Sequence, residues 1–130
     1  MNLVDTSGWI EYFFAGSNTK FFAKPIENIE QLLVPTTCLY EVFKKINQIA
    51  DEAQALQTIA LMKQGTVVPL DEPIALKAAL ISIRYKLPMA NSFIYSTAQA
   101  YHATLWTQDV HFKGLANVNF KAPSGPTELN

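Results

Sequence analysis

The sequence predicts an α/β fold built on a parallel sheet. Short apolar runs such as Leu3-Val4, Leu32-Leu33-Val34 and Leu105-Trp106 alternate with longer stretches whose apolar residues recur every three or four positions, the pattern of βαβ units. Several runs are followed by Asp, Thr or Ser, which favour turns and helix starts. The 130 residues, 49% of them apolar, suffice for one core, so residues 1–130 are expected to form a single domain.

Met1 to Val4 is the expected first strand, ended by Asp5-Thr6-Ser7-Gly8, after which a helix carries Trp9, Ile10, Phe13 and Phe14. A second helix is expected from Thr19 to Ile29, kinked or broken at Pro25. Leu32 to Val34 reads as a buried strand. Pro35-Thr36-Thr37 then starts a helix with Leu39, Val42, Phe43, Ile46 and Ile49 on one face. Asp51 to Lys63 continues as helix with Leu56, Ile59 and Ala60 inward, and Gly65 stops it. Thr66 to Leu70 is a strand that Pro69 marks as an edge or an end. Asp71 caps a helix with Pro73 in its first turn and Ile74, Ala78, Ile81 and Tyr85 on one face; Leu87-Pro88 ends it. Asn91 is the expected cap of the next helix, with Ile94, Thr97, Ala98 and Tyr101 inward. Strands follow at Ala103 to Thr107 and Asn117 to Phe120, and residues 122–130, with two Pro and a Gly, read as a loose tail.

Bulk properties exclude several functions. Ten Lys plus Arg against eleven Asp plus Glu give a net charge of −1, so nucleic-acid binding must rely on a local patch. Cys38 is the single cysteine, which rules out an internal disulfide or a multi-cysteine metal site and fits a reducing cytoplasm. No basic and apolar leader opens the chain, and no apolar run reaches the roughly 20 residues of a membrane span.

Asp5 and Asp109 follow strands, where open α/β sheets bind ligands. Glu41, about one turn into the third helix, and Asn91 can face the same crevice. Converging carboxylates repel one another unless a cation neutralises them, and hard oxygen donors favour Mg²⁺ or Mn²⁺. Such ions suit phosphodiester hydrolysis. Taken singly, each of these residues is an ordinary cap, loop or surface residue; the joint pattern is what points to chemistry.

These residues carry a resemblance. Val4-Asp5-Thr6-Ser7, Thr37 to Val42 with Glu41, and Thr107-Gln108-Asp109 with Phe112 resemble, in order and spacing, the first, second and fourth motifs of the PIN-domain ribonuclease toxins of the VapC type, from bacterial toxin–antitoxin pairs. The likeness spans nearly the whole chain. It implies a three-layer α/β/α domain with a central parallel sheet of four to five short strands, and a divalent-metal-dependent endoribonuclease whose metal site is Asp5, Glu41, Asn91 and Asp109, with Thr107 supporting it. The third motif departs from the family: Ala90-Asn91-Ser92-Phe93-Ile94 has Asn where Asp belongs. Asn keeps one carbonyl ligand but loses a charge and brings an NH₂ donor, so weakened metal binding and impaired cleavage are expected. The alternative is a non-catalytic module that holds antitoxin or RNA without cutting. The resemblance also implies a homodimer and a cognate antitoxin, with DNA reached only through that antitoxin.

For RNA contact the candidates are Lys44, Lys45, Arg84, Lys86 and Lys113, while His102 and His111 lack the spacing of a metal pair and are assigned no catalytic role. Thr6 and Ser7 are candidate hydrogen-bond partners of the carboxylates. Trp9, Tyr12, Phe13, Phe14, Phe21 and Phe22 exceed what one helix face buries, so part of this cluster is expected at a partner surface. The local pattern disfavours a haloacid-dehalogenase-type phosphatase, because Ser7 stands where its second Asp would be, and a receiver domain, which wants a lysine after a late strand.

Overall fold

The first three residues to pair set the frame. Asn2–Val4 (β1) runs between Leu32–Pro35 (β2) and Thr104–Thr107 (β4), parallel to both, in a computed structural model that describes residues 1–124. Thr66–Val68 (β3) and Val118–Phe120 (β5) complete a five-stranded all-parallel sheet in the order β3-β2-β1-β4-β5. Most of the expected tail lies outside the described residues.

Six helices connect the strands: Thr6–Phe13 (α1), Thr19–Ile26 (α2), Thr36–Ile49 (α3), Glu52–Met62 (α4), Glu72–Tyr85 (α5) and Met89–Ala100 (α6). They flank the sheet, giving the expected α/β class, and no described helix is long and apolar enough to cross a membrane. β2 is buried along its whole length and Leu3, Val4, Leu33, Val34 and Leu105 are at most 1% exposed, as expected of a parallel sheet covered on both faces. Asp51 and Asp71 cap α4 and α5 by accepting from the Gln54 and Ile74 amides, each satisfying one orphan donor of a first turn.

Chain order fixes where the crevice lies. The chain moves outward from β1 to β2 to β3, then returns to the far side of β1 for β4 and β5. The reversal falls between β1 and β4, and in such sheets the carboxyl ends at the reversal leave an open crevice. Asp5 leaves β1 at that point, and Asp109 lies two residues past β4.

Four local expectations are corrected. Helix α4 buries Ala55, Thr58 and Met62, whereas Leu56 is 55% exposed and Ala60 is also outside. Tyr101 and Ile49, expected inward, are exposed, as is Tyr85 at the end of α5. The second helix stops at Ile26, with Pro25 buried in its last turn, and a short 3₁₀ turn at Ile29–Gln31 follows. The fourth correction concerns Asn91. Pro88 precedes the first residue of α6, its ring fixing an extended entry that makes Asn91 the third helical residue, with no capping bond. Its side chain is thereby free for the crevice.

The aromatic N-terminal segment packs largely on itself. Trp9 and Phe22 are buried, Trp9 stacks on Phe13 at 5.6 Å, and Phe21 meets Phe22 and Trp106 at 5.0 Å each. Phe14 alone among these six rings is exposed. Gly8 lies under this cluster: a Cβ there would come within 2.6 Å of both the Phe22 ring and Val4 Cγ1. Only Gly lets α1 approach β1 this closely, and its amide is one that holds Asp5.

Candidate active site

Asp5 is both the cap of α1 and the centre of the crevice. Its Oδ1 accepts from the Gly8 amide at 2.9 Å and the Ser7 hydroxyl at 2.8 Å, and its Oδ2 accepts from the Thr107 hydroxyl at 2.6 Å. The residue is 2% exposed. Burial pushes its carboxyl up to about 6, against the three hydrogen bonds that favour the anion, and the nearby Asp109 charge pushes the same way as burial.

Thr107 joins the two strand ends. While donating to Asp5, it accepts the Asp109 amide at 2.8 Å. Asp109 Oδ2 accepts from Asn91 Nδ2 at 3.0 Å, and Oδ1 accepts from the His111 amide at 2.9 Å and meets His111 Nδ1 at 2.7 Å. Burial would raise the Asp109 carboxyl; the His111 amide, the His111 ring and the Asn91 amide outweigh it and hold the carboxyl below its usual range. Asp5, Thr107, Asp109 and Asn91 thus form one hydrogen-bonded chain across the reversal point.

Glu41 reaches the same region from α3 but is held by the Thr6 hydroxyl, which donates to Oε1. Cys38, one turn earlier, is buried beneath; burial first and the Asp5 charge second push its thiol well up. It is therefore a neutral thiol directed at the Val4 carbonyl, 3.7 Å away.

Three carboxylates and a carboxamide oxygen are the hard donors that suit Mg²⁺ or Mn²⁺. In donor chemistry the residues fit such an ion. Among the described residues, however, no three His, Cys, Asp or Glu side chains converge closely enough to hold one as placed. The hydrogen bonds say where the reach is lost: Glu41 is turned to Thr6, and Asn91 points its NH₂ at the Asp109 oxygen that faces it.

The cations sort themselves by position. Lys44 and Lys45 line a cavity of about 430 Å³ together with Thr6, Ser7 and Glu41. Arg84 lines a different cavity beside Leu80 and Gln99, and Lys86 and Lys113 line neither of the two cavities described that include Glu41. Two features escape sequence reasoning. His111 sits on Asp109, two residues away in the chain, where only the 3₁₀ turn at Val110–Phe112 brings it. Asn18, 3% exposed, donates through its side-chain Nδ2 to Gln108 Oε1 at 3.0 Å, and Glu11 accepts from both the Asn18 backbone amide at 2.8 Å and Gln108 Nε2 at 3.3 Å. This network clamps the loop that carries Asp109 to α1, and nothing in residue spacing announces it.

The fold, with its carboxylates at the reversal of strand order, is that of the PIN domain: the chain belongs to the PIN-domain family, whose sequence model matches residues 3–118. Among curated proteins none matches the sequence. Among solved structures, a toxin–antitoxin complex from Klebsiella pneumoniae superposes with a TM-score of 0.74 at 21% identity, over 92% of this chain and 96% of that one. VapC20 of Mycobacterium tuberculosis, described as a toxin cleaving the sarcin–ricin loop, gives 0.75 at 14% identity over 89% and 95%. DNA-bound VapBC of Salmonella typhimurium gives 0.74 at 12% identity over 94% and 98%.

Proposed function

We propose that the chain is the toxin of a VapC-type toxin–antitoxin pair, an endoribonuclease dependent on Mg²⁺ or Mn²⁺ that is weakened by Asn91. The observation that carries this reading is the chain Asp5–Thr107–Asp109–Asn91 at the strand reversal, with Glu41 facing it from α3. Asp5, Glu41 and Asp109 would hold the ion, with the Asn91 carbonyl as a weak fourth donor. Held there, the ion would supply Lewis-acid chemistry, activating a water and polarising the scissile phosphate. Thr107 orients Asp5 and fixes the Asp109 backbone, the Gly8 and Ser7 bonds keep Asp5 from turning away, and Lys44 and Lys45 attract the RNA backbone.

Single-turnover incubation of excess protein with structured and single-stranded RNAs tests this. The expected result is slow cleavage with Mn²⁺, lost with chelator and lost in Asp109→Ala. Cleavage that survives either change overturns the reading.

The second reading, a non-catalytic module holding antitoxin or RNA, is favoured by the Asn91 amide donating to Asp109 where a metal would sit. Both readings share a partner. Toxin–antitoxin complexes among the similar structures, three of them bound to DNA, support a cognate antitoxin through which promoter DNA is contacted. We place this activity in the cytoplasm, where RNA is at hand and Cys38 stays reduced.

A homodimer belongs to the same proposal. Leu76, Leu80 and Ile83, 63%, 64% and 78% exposed, follow four- and three-residue spacing along the outer face of α5, more apolar surface than a lone helix leaves in water. The second copy packs on this stripe. Light scattering at micromolar concentration should give the mass of two chains, and that of one for Leu80→Asp; a single-chain mass for the unaltered protein refutes the dimer.

A further inference from the structure

Tyr40 immediately precedes Glu41 on α3, yet 64% of it is exposed, an unusual position for a large ring beside a candidate catalytic carboxylate. It lies where two cavities meet. The one of about 430 Å³ holds Lys44, Lys45 and Gln108; the other, of about 290 Å³, is walled by Leu70, Met89 and Phe93. Both include Tyr40 and Glu41. Lys44 Nζ stands 5.7 Å from the Tyr40 ring centroid, so a cation and an aromatic face share one spot.

A carboxylate site therefore has an aromatic, apolar recess on one side and a cationic trough on the other. Sites for single-stranded nucleic acid combine these two elements: cations along the backbone and exposed rings on which bases stack. We propose that Tyr40 is the stacking platform for one unpaired nucleobase of the RNA substrate, seated in the recess beside Phe93, while Lys44 and Lys45 hold the phosphates that continue past Glu41. This rests on the ribonuclease reading and adds to it a base subsite, with an expected preference for substrates whose base next to the cleavage point is unstacked. Glu41 lies between the two subsites, so the scissile phosphate crosses it.

The test is binding of a single-stranded oligoribonucleotide in chelator, where no cleavage intervenes, read by anisotropy across a salt series. Tyr40→Ala should weaken binding about 10-fold with the salt slope unchanged, since one stack is lost. Tyr40→Phe should stay within about twofold. The double change Lys44→Ala with Lys45→Ala should reduce the salt slope by about 1.4, two phosphates at about 0.7 each. An RNA with one abasic position in the bound segment should bind Tyr40→Ala and the unaltered chain alike, because the stack is already gone. A fluorescent purine analogue at that position should lose its quenching in Tyr40→Ala.

RNA binding by the unaltered chain that is indifferent to Tyr40→Ala overturns the platform and leaves the nuclease reading standing. No RNA binding by the unaltered chain overturns both. If Tyr40→Ala weakens antitoxin capture and leaves RNA affinity unchanged, the recess is a protein-binding pocket and the proposal fails. Thermal melts identify any variant that does not fold, and the exposure of Tyr40 predicts that none will be found among these.

Discussion

Asn91→Asp should raise Mg²⁺- or Mn²⁺-dependent RNA cleavage on the order of 100-fold, the upper range of what a lost partner costs a metal site. The physical change is local. In the present chain Asn91 Nδ2 donates to Asp109 Oδ2 at 3.0 Å, satisfying with a neutral donor an oxygen that would otherwise demand a cation. An Asp at this position turns that attraction into the repulsion of two carboxylates, relieved by binding a divalent ion. The same substitution should therefore lower the melting temperature in chelator and raise the shift that Mn²⁺ produces. Equal cleavage rates for the two chains would put Asn91 outside the chemistry. Failure of both to cut any RNA would favour the non-catalytic module.

The second large effect is a dependence of stability on pH centred on Asp5. Its folded pKa is raised, from 3.8 to about 6, chiefly by burial. Below the unfolded value both states are protonated and no stability is lost. As pH rises from 3.8 to about 6 the unfolded state releases this proton while the folded state keeps it, so stability falls, and above about 6, where both states are charged, the loss is complete. That rise, from 3.8 to about 6, corresponds to about 3 kcal/mol at most. In chelator, Asp5→Asn should then be more stable than the unaltered chain by about 2–3 kcal/mol at pH 8 and equal to it near pH 4. The Asn oxygen can still accept from the Gly8 amide, so the cap of α1 survives. Adding Mn²⁺ at pH 8 should stabilise the unaltered chain and leave Asp5→Asn nearly unmoved. Chemical denaturation at the two pH values, with and without the ion, checks all four arms; a flat profile for the unaltered chain refutes the buried-charge account.

How much of this was legible in the residues follows from where periodicity has a direction. Strands ending in Asp5 and in Thr107-Gln108-Asp109, separated by amphipathic stretches, were readable as α/β because turn chemistry and burial agree there. Helix α4 misled: Ala, Leu and Ile occur around its whole circumference, so Leu56 and Ala60 looked as suited to the core as Ala55 and Met62. Asn91 looked like a cap because Asn often is one; Pro88 took the position before the helix and left the carboxamide to Asp109. Thr107 was picked out beside the carboxylates, and the structure shows it bridging Asp5 to Asp109. The Glu11–Asn18–Gln108 clamp was invisible, since its partners are up to 97 residues apart and no spacing rule links them.

The placement of β4 beside β1 has a consequence for how this protein is made. The strand that ends at Asp5 lacks one of its two neighbours until Thr104–Thr107, about 100 residues further along the sequence, has been made. Pairing so distant in sequence comes late in folding. The growing chain thus carries Asp5 and Glu41 before Asp109, two residues past β4, can be brought beside them. Under the proposed ribonuclease reading, cleavage waits for that late pairing, and a partner already present can bind the chain before the site is assembled.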